Sequence, residues 1–372
     1  MEKEIITSKQ AVAMLILFIT NGTLIFPSGV EAQKDIWIAI IVSILFGMLV
    51  SLMYSKLLTL FPGEDLYDIL ITLFGGFFGR IFCIIYIWFS FNISVLIIED
   101  FFSFITTVTL PEMNIFIILI FPTALCAYAL KNGIEVIGRF AELIVSSLIV
   151  LIIMAFMLLT PQMDGRNLMP VLEKGVTPIL SGAFSLFSFP FGETIVFTAL
   201  FSSLESTKDI KKSYLWGILI GGSLVLIAKT SDILTLGVER FSQYYFPSYA
   251  SVSRVRVGEF IQRIEIIAGL TFAIGGLMKL CICMFTAVKG TAKLLNIKDY
   301  RFLVVPMCLL LMDCSFIFNK NIIELTNWTG TLWRYYSLPF ELILPLFILF
   351  YALIAVKKKR KKKPSSSKKE QK

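Results

Sequence analysis

From residue 9 onward the chain alternates apolar runs, most of roughly 20 residues, with short polar connections. Ten runs can be read, at about 9–32, 36–60, 80–105, 113–130, 134–159, 175–203, 210–236, 259–288, 301–318 and 333–356. About 20 apolar residues wound as a helix cross the ~30 Å hydrocarbon of a bilayer. The pattern therefore predicts an all-α polytopic membrane protein of about ten spans, with both termini on one side.

Two of these runs are interrupted. Span one reads LILFITNGTLIFPSGV, with Asn21-Gly22-Thr23 at its middle and Pro27 a turn later. Span six reads GAFSLFSFPFGETIVF, with Pro190 and Gly192 at its middle. Proline removes a backbone donor and glycine eases departure from helical geometry. Amides freed in hydrocarbon cost several kcal/mol unless protein or a wet cavity satisfies them, so paired interruptions predict a polar binding function there. Breaks in the first and sixth of ten spans fit two halves of opposite orientation, about 9–159 and 175–356, with substrate held between the broken helices. Two ordinary kinked helices are the plainer alternative.

Other segments carry less. Residues 63–75 place Leu66, Ile69, Leu70 and Leu73 at helical spacing beside Asp65 and Asp68, which predicts a short amphipathic surface helix. Residues 238–258 are aromatic and polar and contain Pro247, and read as an outer loop with a short helix or lid. Residues 1–356 form the membrane domain, and 357–372 a basic, disordered cytoplasmic tail in contact with lipid headgroups. The opening MEKEIITSKQ reads as a cytoplasmic lead-in to span one.

Composition narrows the function. The chain is 57% hydrophobic and 16% charged, with a mean hydropathy of +0.82. Its net charge of +8 is a property of the tail, which alone carries +9. No basic face remains on a folded domain, so a nucleic-acid partner is not expected. In the predicted orientation 20 Lys/Arg lie in inner segments and nine in outer ones, which puts both termini in the cytoplasm. The chain has no histidine, and its six cysteines lie in apolar segments without Cys-x-x-Cys spacing. Metal sites, cofactors and most hydrolytic mechanisms lose their usual residues.

Charge inside a span needs a partner or a task. Glu193 follows the break of span six, where a helix start favours a carboxylate. Lys279 lies near the middle of span eight and is expected to pair with Glu193. Glu99, Asp100, Lys229, Asp232, Glu142, Asp313 and Glu341 read as rim or helix–helix contacts, with Lys229 and Asp232 placed to pair along one helix. Phe89, in the YIWFSFN stretch of span three, is the candidate apolar wall.

The Gly-Thr break followed by Ile-Phe-Pro, the FPFGE break and the Gly-Gly-x-x-Lys context of Lys279 together resemble the spore germination permeases. These are the B subunits of nutrient germinant receptors, within the amino acid/polyamine/organocation superfamily. The resemblance implies a leucine-transporter-like fold of two five-span repeats with spans one and six broken. It implies a nutrient site, typically for an amino acid, built from Gly22, Thr23, Phe89, Phe191, Gly192, Glu193, Lys279 and Cys283. It further implies an A subunit and a lipoprotein C subunit as partners, in the inner membrane of the spore. A receptor subunit is thus the leading reading. An amino acid symporter coupled to protons or Na⁺ is the alternative, and no catalytic residues are expected.

Overall fold

A computed structural model describes residues 4–255, 265–318 and 322–362, and the regular structure of the described residues is helical apart from one isolated bridge between Ile6 and Leu204. Its principal helices are α1 (Ser8–Thr20), α2 (Ile36–Leu60), α3 (Leu66–Val108), α4 (Ile115–Asn132) and α5 (Ile134–Leu159). After these come α6 (Val176–Leu186), α7 (Ile210–Leu236), α8 (Ile266–Leu294) and α9 (Arg301–Phe318). The last, α10, runs from Ile322 to Lys362 through two wide turns, Trp328–Leu332 and Pro339–Ile343. Among the described residues eight helical stretches are long and apolar enough to cross a membrane. The 13-residue α1 and the 18-residue α9 account for the other two predicted spans.

Span one departs from its predicted length. Thr7 starts α1 with a capping box, accepting from the Gln10 amide at 3.3 Å while Gln10 Oε1 accepts from the Thr7 amide at 3.0 Å. Thirteen residues rise only about 20 Å, two-thirds of a bilayer's hydrocarbon. Asn21 is extended and Gly22 takes φ +62°, a left-handed value that favours glycine. In place of a second half-helix the chain makes a turn, closed by the Ile25 and Phe26 amides on Gly22 O at 2.9 and 2.8 Å. It then passes through the 3₁₀ segment Val30–Asp35 into α2.

The amphipathic stretch 63–75 is helical from Leu66, capped by Asp65, and joins α3 through a kink at Gly75. On that face, called here the terminal face, Asp65 pairs with Lys289 at 3.2 Å and Lys293 at 2.6 Å, while Lys293 also meets Asp68. Burial alone would raise the Asp65 carboxyl, but the two lysines outweigh it and hold it below the usual range. Arg301 joins Glu4 at 2.7 Å on the same face. The predicted outer loop holds two short helices, Val238–Gln243 and Pro247–Val252, and its residues 256–258 lie outside the described residues. The predicted tail begins inside α10, whose helix continues to Lys362; residues 363–372 lie outside the description.

The helices approach closely where side chains are small. A Cβ on Gly217 of α7 would lie 2.5 Å from Leu15 Cβ of α1, and one on Gly221 would lie 3.1 Å from Ile19. This small-x-x-x-small stripe lets α1 and α7 touch along their backbones, the usual basis of contact where lipid supplies no hydrophobic drive. All six cysteines are free, and five are buried as packing residues.

Candidate binding site at the two helix breaks

The break in span six lies one residue earlier than its proline suggests. Phe189 has φ −145° and ψ 105°, whereas Gly192 is helical at φ −64° and ψ −38°. Beyond it the chain continues as 3₁₀ helix over Gly192–Val196, a short α turn over Phe197–Leu200 and another 3₁₀ turn. Such backbone leaves carbonyls without the usual i−4 partners. Neighbouring helices take them up one by one. Ser188 O accepts from Trp333 Nε1 at 3.3 Å, and Gly192 O from the Tyr54 hydroxyl at 3.2 Å. Thr194 O accepts from Tyr214 at 3.3 Å, Val196 O from Thr286 at 3.2 Å, and Ala199 O from Lys289 at 2.9 Å.

The break in span one is satisfied differently. Lys229 of α7, fully buried, donates to Leu24 O at 3.2 Å and to Phe26 O at 2.7 Å. Its charge is balanced by Asp232 at 3.7 Å, and Ser248 of the short helix Pro247–Val252 bonds both Asp232 and Leu24 O. The two breaks meet directly. A Cβ at Gly22 would lie 2.8 Å from Cζ of Phe189, so that ring covers the span-one glycine.

Above this junction Lys279 of α8 forms an ion pair with Glu193, both essentially inaccessible to solvent. The ammonium also lies 4.2 Å from the centroid of Phe189 and 4.9 Å from that of Phe18, within cation–π range. The pair forms the floor of a cavity of about 370 Å³, walled by Phe189, Trp333 and Asp100 among others. The volume lies within the range of small-molecule pockets. At the mouth, away from the terminal face, Arg334 of α10 joins Glu31 at 2.7 Å and donates to Ser181 Oγ at 3.2 Å. That contact ties the connection after span one to α10 and α6.

A family model described as spore germination protein matches residues 5–323. The chain belongs to that family. Spore germination protein KB of Bacillus subtilis (strain 168) is 28% identical over 352 residues, covering 94% of each chain. The putative spore germination protein YfkT of the same organism is 22% identical over 300 residues, covering 80% of this chain and 81% of its own. Among solved structures, the nucleobase-cation-symport-1 family transporter MHP1, closed with bromovinylhydantoin bound, superposes with a TM-score of 0.71. That match has 10% identity and covers 95% of this chain and 80% of MHP1. A manganese transporter of Eremococcus coleocola superposes at 0.63, with 15% identity over 96% of this chain and 88% of its own. At such identities the likeness is one of fold, and the fold is the leucine-transporter-like one with helices one and six broken.

In this germination-family chain only two of the eight expected site residues, Glu193 and Lys279, line the cavity. Gly22 lies behind Phe189, and Thr23 is buried with its hydroxyl on Asn21 O at 3.2 Å. Phe191 faces α2 and α7, where Gly47 and Gly222 make room for it, so the aromatic wall from span six is Phe189. The non-helical backbone at Phe189 sets the two rings on different faces. Phe89 stacks between Phe340 (4.6 Å) and Trp333 (6.0 Å), one layer behind the wall that Trp333 provides. Gly192 touches the buried Glu341 carboxylate, and Cys283 lies buried a turn below Lys279. Asp100, Trp333, Arg334 and Glu31 enter the site without having been expected there. Of these, Asp100 alone carried a usable signal, as an ionisable residue inside a span.

Proposed function

We propose that this germination-family protein is the B-type subunit of a nutrient germinant receptor, binding a small nutrient of the amino acid class in the cavity above the two breaks. The observation that carries the reading is the cavity itself: its floor is a buried ion pair, and Phe189 joins it to both broken spans. A ligand pressing on Phe189 or opening the Lys279–Glu193 pair acts on the Gly22 turn through a single ring. Binding shifts the protein toward whichever arrangement of the breaks it prefers. An A subunit and a lipoprotein C subunit would read that shift in the spore inner membrane. The basic excess of the inner segments supports cytoplasmic termini. We assign the chain no catalytic step and no cofactor.

The likeness to solved transporters favours a second reading, an amino acid symporter driven by protons or Na⁺. Radiolabelled amino acid uptake by the purified chain in liposomes separates the two. Binding without uptake supports the receptor, whereas concentrative uptake in the absence of partners supports the symporter. Failure of all twenty amino acids to bind overturns both.

A further inference from the structure

The cavity holds one charge that this reading leaves unassigned. Asp100 lies on α3 with 8% of its surface exposed and lines the cavity together with Ile93, Leu96 and Ile97. Those positions recur at intervals of three and four along a single helix face, so that face presents Asp100 to the cavity. Among the described residues no hydrogen bond or ion pair engages its carboxylate. Within the cavity Glu193 is paired with Lys279, and Glu31 with Arg334 at the mouth, which leaves Asp100 as the lining carboxyl group without an ion-pair partner among the described residues.

Ionised without a partner, a buried carboxylate costs several kcal/mol, a cost that a ligand cation of matching size offsets. Its neighbours choose the kind of cation. The cavity it lines is walled mainly by isoleucine and leucine side chains and the rings of Phe189 and Trp333, with scattered hydroxyls, and not by the six to eight converging oxygens a hard metal ion such as Ca²⁺ gathers. That lining suits an ammonium carried on a hydrocarbon body. The two cations of the cavity are already held by carboxylates, so a ligand carboxylate finds no free counter-charge.

We propose that Asp100 is the counter-charge for a protonated amine, so that the cavity reads the amine of its ligand and not the carboxylate. The inference rests on the cavity being the nutrient site. It is tested on the full chain in nanodiscs with the tightest binder among the twenty amino acids, its C-terminal amide and its N-acetyl derivative. The amide is expected to bind within about 3-fold of the parent, and the N-acetyl form about 30-fold or more weaker. Asp100→Asn should lose a similar factor and melt no lower than wild type when empty, since the substitution breaks no hydrogen bond or ion pair among the described residues. A structural role would lower the melting temperature. Asp100→Glu should retain most of the binding.

Equal binding of the N-acetyl derivative overturns the proposal, as does wild-type affinity in Asp100→Asn or displacement of the ligand by millimolar NaCl or KCl. The comparison of derivatives on the wild-type chain decides the matter even where a variant fails to fold. Binding of no amino acid overturns the nutrient reading and this inference together, whereas amine-blind binding overturns this inference alone.

Discussion

After Gly22 the carbonyls of Leu24 and Phe26 are both taken by one ammonium, that of Lys229. In span six, five of the carbonyls between Ser188 and Ala199 are each taken by a different side chain from α2, α7, α8 or α10. Both arrangements meet the same requirement, that backbone freed within a membrane be bonded. They fail differently. The span-one break hangs on Lys229 as its central pin, with Ser248 of the short helix Pro247–Val252 bonded both to that ammonium and to Leu24 O. The span-six break is held by a distributed set, so that its segment can shift one contact at a time. That suits a segment whose Phe189 and Glu193 line the cavity while the opposing turn is held fixed.

The largest effect comes from removing the pin. Lys229→Met takes one donor from each of two carbonyls, which keep Ser248 and the Ser28 amide, and leaves Asp232 without its buried cation, at a cost of about 3–5 kcal/mol. SDS titration of the detergent-solubilised protein should show that loss, and Lys229→Met/Asp232→Asn should recover only the share owed to the charge. A single variant within ~1 kcal/mol of wild type, a typical loss for one hydrogen bond, would mean that the two breaks are held alike.

The contrast also marks how far the chain could be read without coordinates. Ten apolar runs are legible because a bilayer sets their length, and both breaks because Asn21-Gly22 and Phe189-Pro190 cannot continue a helix cheaply. The group that meets a break is not legible. Lys229 lies 205 residues from Leu24, and only tertiary packing turns a rim residue into the cation that closes the turn. The same blindness placed Phe89 on the cavity wall, because a period of 3.6 gives the face of a helix but not the layer of Trp333 set in front of it. Lys279–Glu193 was accessible, since a buried ammonium in an apolar helix needs a carboxylate and the breaks offered one.

A smaller effect separates two reasons for glycine at 192. Its dihedrals are helical, so alanine there would stabilise by about 0.5–1 kcal/mol if backbone freedom were all that mattered. A Cβ, however, would overlap the Glu341 carboxylate of α10. Overpacking of this kind costs about 1–3 kcal/mol, so the clash wins and Gly192→Ala destabilises. Adding Glu341→Ala should remove the penalty, giving a coupling energy above ~0.5 kcal/mol in a double-mutant cycle. Stabilisation by the single variant would show that the Glu341 side chain yields and that backbone freedom decides at this position.

The smallest effect tests the distributed set itself. Tyr214→Phe leaves Thr194 O, and Thr286→Val leaves Val196 O, without its side-chain donor. Each should cost about 0.5–1.5 kcal/mol, the usual net worth of one hydrogen bond. The two donors come from different helices and share no acceptor, so the double variant should equal the sum of the singles within ~0.5 kcal/mol. Additivity is what a break held by independent contacts requires, because losing one bond leaves the others in place. Coupling above ~1 kcal/mol would mean that the first loss already releases the segment, and span six would then behave as a single pin like the one Lys229 provides in span one.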